Sequence, residues 1–168
     1  MAERGPSGPV ALSKALNCSS CGASLVMRAA GHSLTVVCDN CHSVLDAKDP
    51  SFQVLSKFEF QAGFKPIIPL GTRGKLRGLL FEVIGMQLRA IEVEGVSYFW
   101  SEYLLFNPYQ GFRYLTEYDG HWNYVRTVPS LPDTTTSRMK PAMKLRDEVY
   151  VLFQSARAKT TYGLGEFP

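Results

Sequence analysis

The sequence predicts a mainly β protein in two parts. A small N-terminal cysteine module is followed by a larger antiparallel meander, expected to close into a small barrel of SH3-like or related form, with a two-layer sheet as the alternative. Three observations predict this. All four cysteines fall in two C-x-x-C pairs, Cys18–Cys21 and Cys38–Cys41. Eleven of the 20 aromatic residues lie between Tyr98 and Tyr124, in runs cut by turn residues, and such runs read as strands. From Leu76 onward, strand-like alternation recurs between glycine-containing breaks.

The totals set limits. At 168 residues and 45% apolar, the chain is one domain, or one with a satellite, and can bury a core. No apolar run reaches the length of a membrane span. The first residues lack the apolar core of a signal peptide, so the chain reads as cytoplasmic. Residues 1–14 are rich in Gly and Pro and are expected to form a flexible tail.

The cysteine module is expected over residues 15–48. Sixteen residues separate its two pairs, within the range of a Cys₄ zinc ribbon. Zn²⁺ favours four tetrahedral thiolates, and two turns each presenting a pair supply them. The expected ligands are Cys18, Cys21, Cys38 and Cys41, and the expected cofactor is one structural Zn²⁺. Gly22 fits a position of positive φ after the first pair. Residues 24–28 and 33–37 are expected to pair as a hairpin with one cysteine pair at each end. His32 and His42 are then surface or outer-shell groups.

Rival chemistries fit less of the module. Cys38-Asp39-Asn40-Cys41-His42 matches covalent haem attachment, but that leaves Cys18 and Cys21 unused. Two disulfides belong to a secreted protein. A thioredoxin-like motif needs one pair in a βαβ setting. Formal charge is +3; four thiolates on one Zn²⁺ would bring it to about +1, too little to require an acidic partner. Charges within residues 1–49 cancel before metal is counted, unlike a nucleic-acid footprint.

Asp49-Pro50 marks a break, and the β domain is expected over 52–128. Gln53–Phe60 reads as a short strand or helix. Pro66–Gly71 reads as a loop, because proline cannot donate to a ladder. Five antiparallel strands are expected near 76–84, 87–93, 96–106, 112–118 and 121–127. Gly85 separates the first two, Glu94-Gly95 turns the next pair, and Asp119-Gly120 gives the strongest hairpin signal. Residues 65–91 are mostly basic and 92–125 mostly acidic, which implies cross-strand ion pairs, with Glu102 meeting Arg89 or Arg113.

Residues 129–147 read as a Pro/Thr/Ser-rich linker or loop. Residues 148–168 read as a C-terminal strand region that resembles the opening of a truncated second repeat. A strand from Ala156 to Gly165 is expected to pair with an edge of the β domain, or with its twin in a homodimer.

The segments Trp100-Ser101-Glu102-Tyr103-Leu104-Leu105, Gly111–Glu117 and Tyr118-Asp119-Gly120-His121-Trp122 resemble the core of a bacterial domain family of unknown function, numbered 4178. The preceding C-x-x-C-G and C-x-x-C pairs also resemble what precedes that domain. The resemblance implies no activity.

Three function classes follow. The first is a non-catalytic module that docks on a protein partner. The second is a nucleic-acid-binding protein, with Tyr98, Trp100, Tyr109, Tyr114, Trp122 and Tyr124 stacking bases on an aromatic sheet, Tyr103 as a further binding candidate, and Arg73, Lys75 and Arg77 of the basic loop on phosphates. Against it, Trp100 and Trp122 are expected mostly in the core. The third is an enzyme, for which Glu102 and His121 are the candidates. No nucleophile elbow or acid pair accompanies them, so no activity is expected.

Overall fold

A computed structural model describes residues 13–59, 64–128, 130–136 and 141–168. Most of the expected tail therefore lies outside the described residues, and its last member, Lys14, opens the first strand. Fourteen strands occur among the described residues. The cysteine module holds β1 (Lys14–Asn17), β2 (Ser24–Met27), β3 (Thr35–Val37), β4 (Ser43–Asp46) and β5 (Val54–Lys57). The meander holds β6 (Arg73–Leu76), β7 (Leu79–Val93), β8 (Val96–Asn107), β9 (Gly111–Tyr118) and β10 (His121–Val125). Then come β11 (Asp133–Thr136), β12 (Pro141–Leu145), β13 (Glu148–Val151) and β14 (Lys159–Phe167).

Two-residue turns build the meander. Arg77-Gly78, Glu94-Gly95 and Asp119-Gly120 each hold two consecutive positive φ angles, the type I′ geometry whose twist matches the flanking strands. They join β6 to β7, β7 to β8 and β9 to β10 in antiparallel register.

Gly85 does not end a strand. β7 runs through it, and the register against β8 slips between Val83 and Gly85, leaving Ile84 as a bulge. Glycine is required here because β14 crosses close by. A Cβ on Gly85 would stand 2.2 Å from the Glu166 carbonyl oxygen, and one on Gly165 would stand 2.2 Å from that of Ile84.

β14 joins the two parts. It pairs with β7 from Lys159 to Gly165 and with β3 from Gly165 to Phe167. One sheet therefore runs β10-β9-β8-β7-β14-β3-β4-β5, with β6 also on β7. The expected C-terminal strand does pair with the meander, within its own chain. The barrel expectation is corrected: β10 and β5 stand at opposite ends, and the sheet stays open. The ribbon strands and β14 occupy the side on which closure would have occurred.

Two further expectations change. Residues 24–27 and 35–37 do not form a hairpin together; β2 pairs β1 and β3 pairs β4. The segment expected as a linker over 129–147 carries β11 and β12, which join β13 in a separate three-stranded sheet. Thr134, Thr135 and Thr136 are β-branched, and their strand use outweighed the turn-like composition around them.

Among the described residues, three apolar clusters hold the large sheet and the separate two-stranded sheet of β1 and β2. Leu16, Leu25, Met27, Val36, Leu45 and Phe52 surround the cysteines. Phe81, Val83, Met86, Tyr103 and Leu105 line one face of the meander, under Phe64, Ile68, Leu70 and Leu76. Ile84, Leu104 and Phe106 line the other face, with Ala29 packed on them from the turn after β2.

Candidate metal centre

Each cysteine pair is the turn of its own hairpin. Between β1 and β2, Gly22 N–H donates to the Cys18 carbonyl (2.8 Å) and Cys18 N–H to that of Ala23 (2.8 Å). Between β3 and β4 the pattern repeats, with His42 N–H donating to Cys38 (2.8 Å) and Cys38 N–H to Ser43 (2.9 Å). Gly22 and His42 occupy equivalent positions, and both have positive φ, 76° and 59°. The local fold thus explains why the hairpin expectation failed: each knuckle closes a hairpin with its nearest strands.

The four sulfurs converge. All lie within 4.8 Å of one another. Cys18 Sγ is 3.7 Å from Cys41 Sγ, and Cys21 Sγ is 3.7 Å from Cys38 Sγ. A tetrahedral ion with bonds of about 2.3 Å to sulfur sets its ligands about 3.8 Å apart. All four cysteines are free thiols, and the set can hold one metal ion.

The surroundings grade the thiols. Burial pushes the Cys38 thiol up to about 12. The Ser43 hydroxyl beside Cys41 (3.3 Å) brings that thiol down to about 6. Asn40 Nδ2 donates to Cys21 Sγ (3.5 Å) and lowers it too. A bound cation would favour all four thiolates. Ser43 and Asn40 had not been singled out from sequence; their only signal is position, two residues after Cys41 and one before it.

His42 is buried behind the second knuckle, with Nδ1 3.5 Å from the Tyr162 hydroxyl. His32 is exposed and set against Phe106, ring centroids 5.4 Å apart. Neither belongs to the sulfur cluster.

The module is tied to the sheet by Glu166, another residue that sequence reasoning missed. Its side chain is 1% exposed. Its carboxylate accepts from Arg28 N–H, from Ala29 N–H (3.0 Å) and from the Ser33 hydroxyl (2.8 Å). Nothing local to Gly165-Glu166-Phe167 signals these partners, which lie more than 130 positions away in the chain.

The remaining candidates do not form one site. Arg73 and Glu82 pair at 2.8 Å, and Arg77 lies over the Tyr124 ring at 4.9 Å. Lys75 is exposed on β6. Glu102 accepts from Trp100 Nε1 (2.8 Å) and lies 3.6 Å from Arg89, the cross-strand pairing expected. Tyr103 is fully buried, and its hydroxyl accepts from Ile67 N–H (3.0 Å). His121 is exposed at the start of β10.

Trp100 and Trp122 stand on opposite faces. Trp122 lies opposite Glu117, and Glu117 opposite Ser101, the neighbour of Trp100; side chains alternate along a strand. Trp100 is half-buried, but Trp122 is 41% exposed, its ring 5.6 Å from that of Tyr103. The expectation of a mostly buried Trp122 is therefore corrected: β10 ends the sheet, and little covers it.

No helix among the described residues is long and apolar enough to cross a membrane. Residues 69–168 match the family model described as Domain of unknown function (DUF4178). No curated protein and no solved structure matches the chain.

Proposed function

We propose, for a chain that belongs to the DUF4178 family of unknown function, that it is a non-catalytic, zinc-stapled β module that docks on a protein partner. The zinc assignment is supported by the four thiols and their 3.7 Å spacings. Zinc here is a staple: it joins two hairpins whose own strands are three or four residues long.

One observation carries the docking reading. Val149, Tyr150, Val151, Leu152 and Phe153 are five consecutive apolar residues, and all are exposed, Phe153 at 96%. They lie on β13 and the segment after it, in a sheet whose outer strands β11 and β13 each pair, among the described residues, only with β12. Contiguous exposed apolar surface beside an open strand edge is the usual makeup of a protein contact.

The nucleic-acid reading draws less support. Arg77 is engaged by the Tyr124 ring, and the two tryptophans cannot share a stacking platform. Cross-linking of the tagged full chain in its native cell tests the proposal. A protein partner cross-linked near residues 148–153, and lost in Val149→Lys, is expected. Salt-sensitive binding to an oligonucleotide, with no such partner, would replace it with the rival.

A further inference from the structure

A cleft of about 630 Å³ opens where the cysteine module meets the meander. Val26 of β2 lines one side, and Leu80 and Tyr109 line the other. All three are exposed, so apolar surface faces water here. The volume falls in the range of small-molecule pockets, which favour the junctions between parts of a fold.

The polar end of the cleft is an ion triad. Glu82 Oε1 is 2.8 Å from Arg28 Nε, and Oε2 is 2.8 Å from Arg73 Nε. Arg28 belongs to the cysteine module and Glu82 to β7, so this one pair already joins the two parts. Arg73 is surplus to that role. Its side chain is 69% exposed, and among the described residues only its Nε is engaged, out of five guanidinium N–H donors. Two arginines against one carboxylate leave one positive charge among the residues that line the cleft. Asp39 lies within Coulombic reach of Arg28 but outside the cleft.

We infer that this cleft binds an acyl carboxylate. The carboxylate sits on the guanidinium edges of Arg73 and Arg28, and the chain lies along Val26, Leu80 and Tyr109. A monoanion matches the single surplus charge, whereas a phosphate dianion would leave one negative charge unpaired beside Glu82. Planar guanidinium and planar carboxylate also match in shape. This site is independent of the docking surface on β13.

Amide NMR spectra of the full, metal-loaded chain test this with three eight-carbon probes: octanoate, octan-1-ol and octylammonium. Octanoate is expected to give saturable shifts at Val26, Leu80 and Tyr109. Octanol is expected to bind about tenfold more weakly or worse, the scale of one charge-assisted contact, and octylammonium not at all. Arg73→Gln should weaken octanoate about tenfold and leave octanol unchanged, while Leu80→Gln should weaken both. Equal binding of octanoate and octanol, or octanoate shifts confined to other parts of the chain, would overturn the assignment. So would unchanged octanoate affinity in Arg73→Gln. Should that variant lose its fold, the comparison of probes on the unaltered chain still decides.

Discussion

The nine-stranded sheet and the three-stranded sheet of β11–β13 are both antiparallel, yet among the described residues only the first carries a buried core. Glu148-Val149-Tyr150-Val151 is as strand-prone as Ser43-Val44-Leu45-Asp46. Leu45 is nevertheless fully buried, and Val149 through Val151 are exposed. The difference is cover. β4 lies over the cysteine cluster and β7–β8 are packed on both faces, whereas among the described residues no buried cluster includes a residue of β11, β12 or β13. Residue propensity makes strands, but stability comes from what is laid against them. Substitutions should therefore cost much in the large sheet and little in the small one.

The largest effect is expected at the metal. Cys38→Ser removes one of four ligands, and structural zinc contributes on the order of 10–16 kcal/mol in zinc-finger peptides. Metal analysis should fall from about one zinc per chain to well below that. Amide exchange should rise across β1–β5 and much less across β7–β9, which keep two clusters of their own. Equal loss in both parts would show that β14 and Glu166 make them one cooperative unit.

Thiol chemistry sharpens the same region. In metal-free protein under conditions where the module keeps its fold, Cys41, at about 6, is mostly thiolate at neutral pH, while Cys38, at about 12, stays a thiol. Only the thiolate reacts with iodoacetamide. Lowering the pH from 7 to 5 carries Cys41 through its pKa and should slow its labelling roughly tenfold. Cys38, buried and protonated throughout, should label last at either pH. Mass mapping of the alkylated cysteines reads the order.

Next in size is the clamp. Glu166→Ala strands the N–H groups of Arg28 and Ala29 and leaves the Ser33 hydroxyl only its 3.4 Å contact with the Ala29 carbonyl. Each unmet donor costs about 1–3 kcal/mol, and the total is not additive, so about 3–5 kcal/mol is expected. Denaturant unfolding measures it. A cost below about 1 kcal/mol would mean that water or a local shift satisfies these donors.

Gly165→Ala should cost about 2–4 kcal/mol. Its Cβ would stand 2.2 Å from the Ile84 carbonyl oxygen, at a φ of 76°. Backbone on backbone leaves no flexible side chain to yield. Thermal melting gives the comparison, and Gly95→Ala, with nothing within 4 Å of its Cβ, separates the φ cost from the clash.

What was legible in the sequence follows the range of the interactions. The cysteine spacing showed the sulfur cluster because four like residues in two pairs have few other uses. Asp119-Gly120 and Glu94-Gly95 showed their hairpins because type I′ turns are set by the two residues themselves. Gly85 misled because a glycine that breaks a strand and one that admits a crossing neighbour look alike. That neighbour, Gly165, lies 80 residues on. Glu166 was invisible for the same reason. The expected barrel failed because closure depends on which strand takes the open side of β7, and β14 reaches it from the far end of the sequence.

The smallest effect is expected at Phe153. Truncating a phenylalanine in a core costs about 3–5 kcal/mol. Phe153 is 96% exposed, so the side chain gains little from folding and has little to lose on removal. Phe153→Ser should change unfolding free energy by no more than about 0.5 kcal/mol, as for other surface positions. The same change removes apolar area from the proposed docking strip, so it should weaken capture of the partner while leaving melting untouched. That pairing is what separates the two sheets: in the large one, lost apolar area appears as lost stability, and in the small one it should appear only as lost binding. A drop of 2 kcal/mol or more, the scale of a core truncation, would show that Phe153 is covered in solution. In that case the contrast between the sheets would not hold.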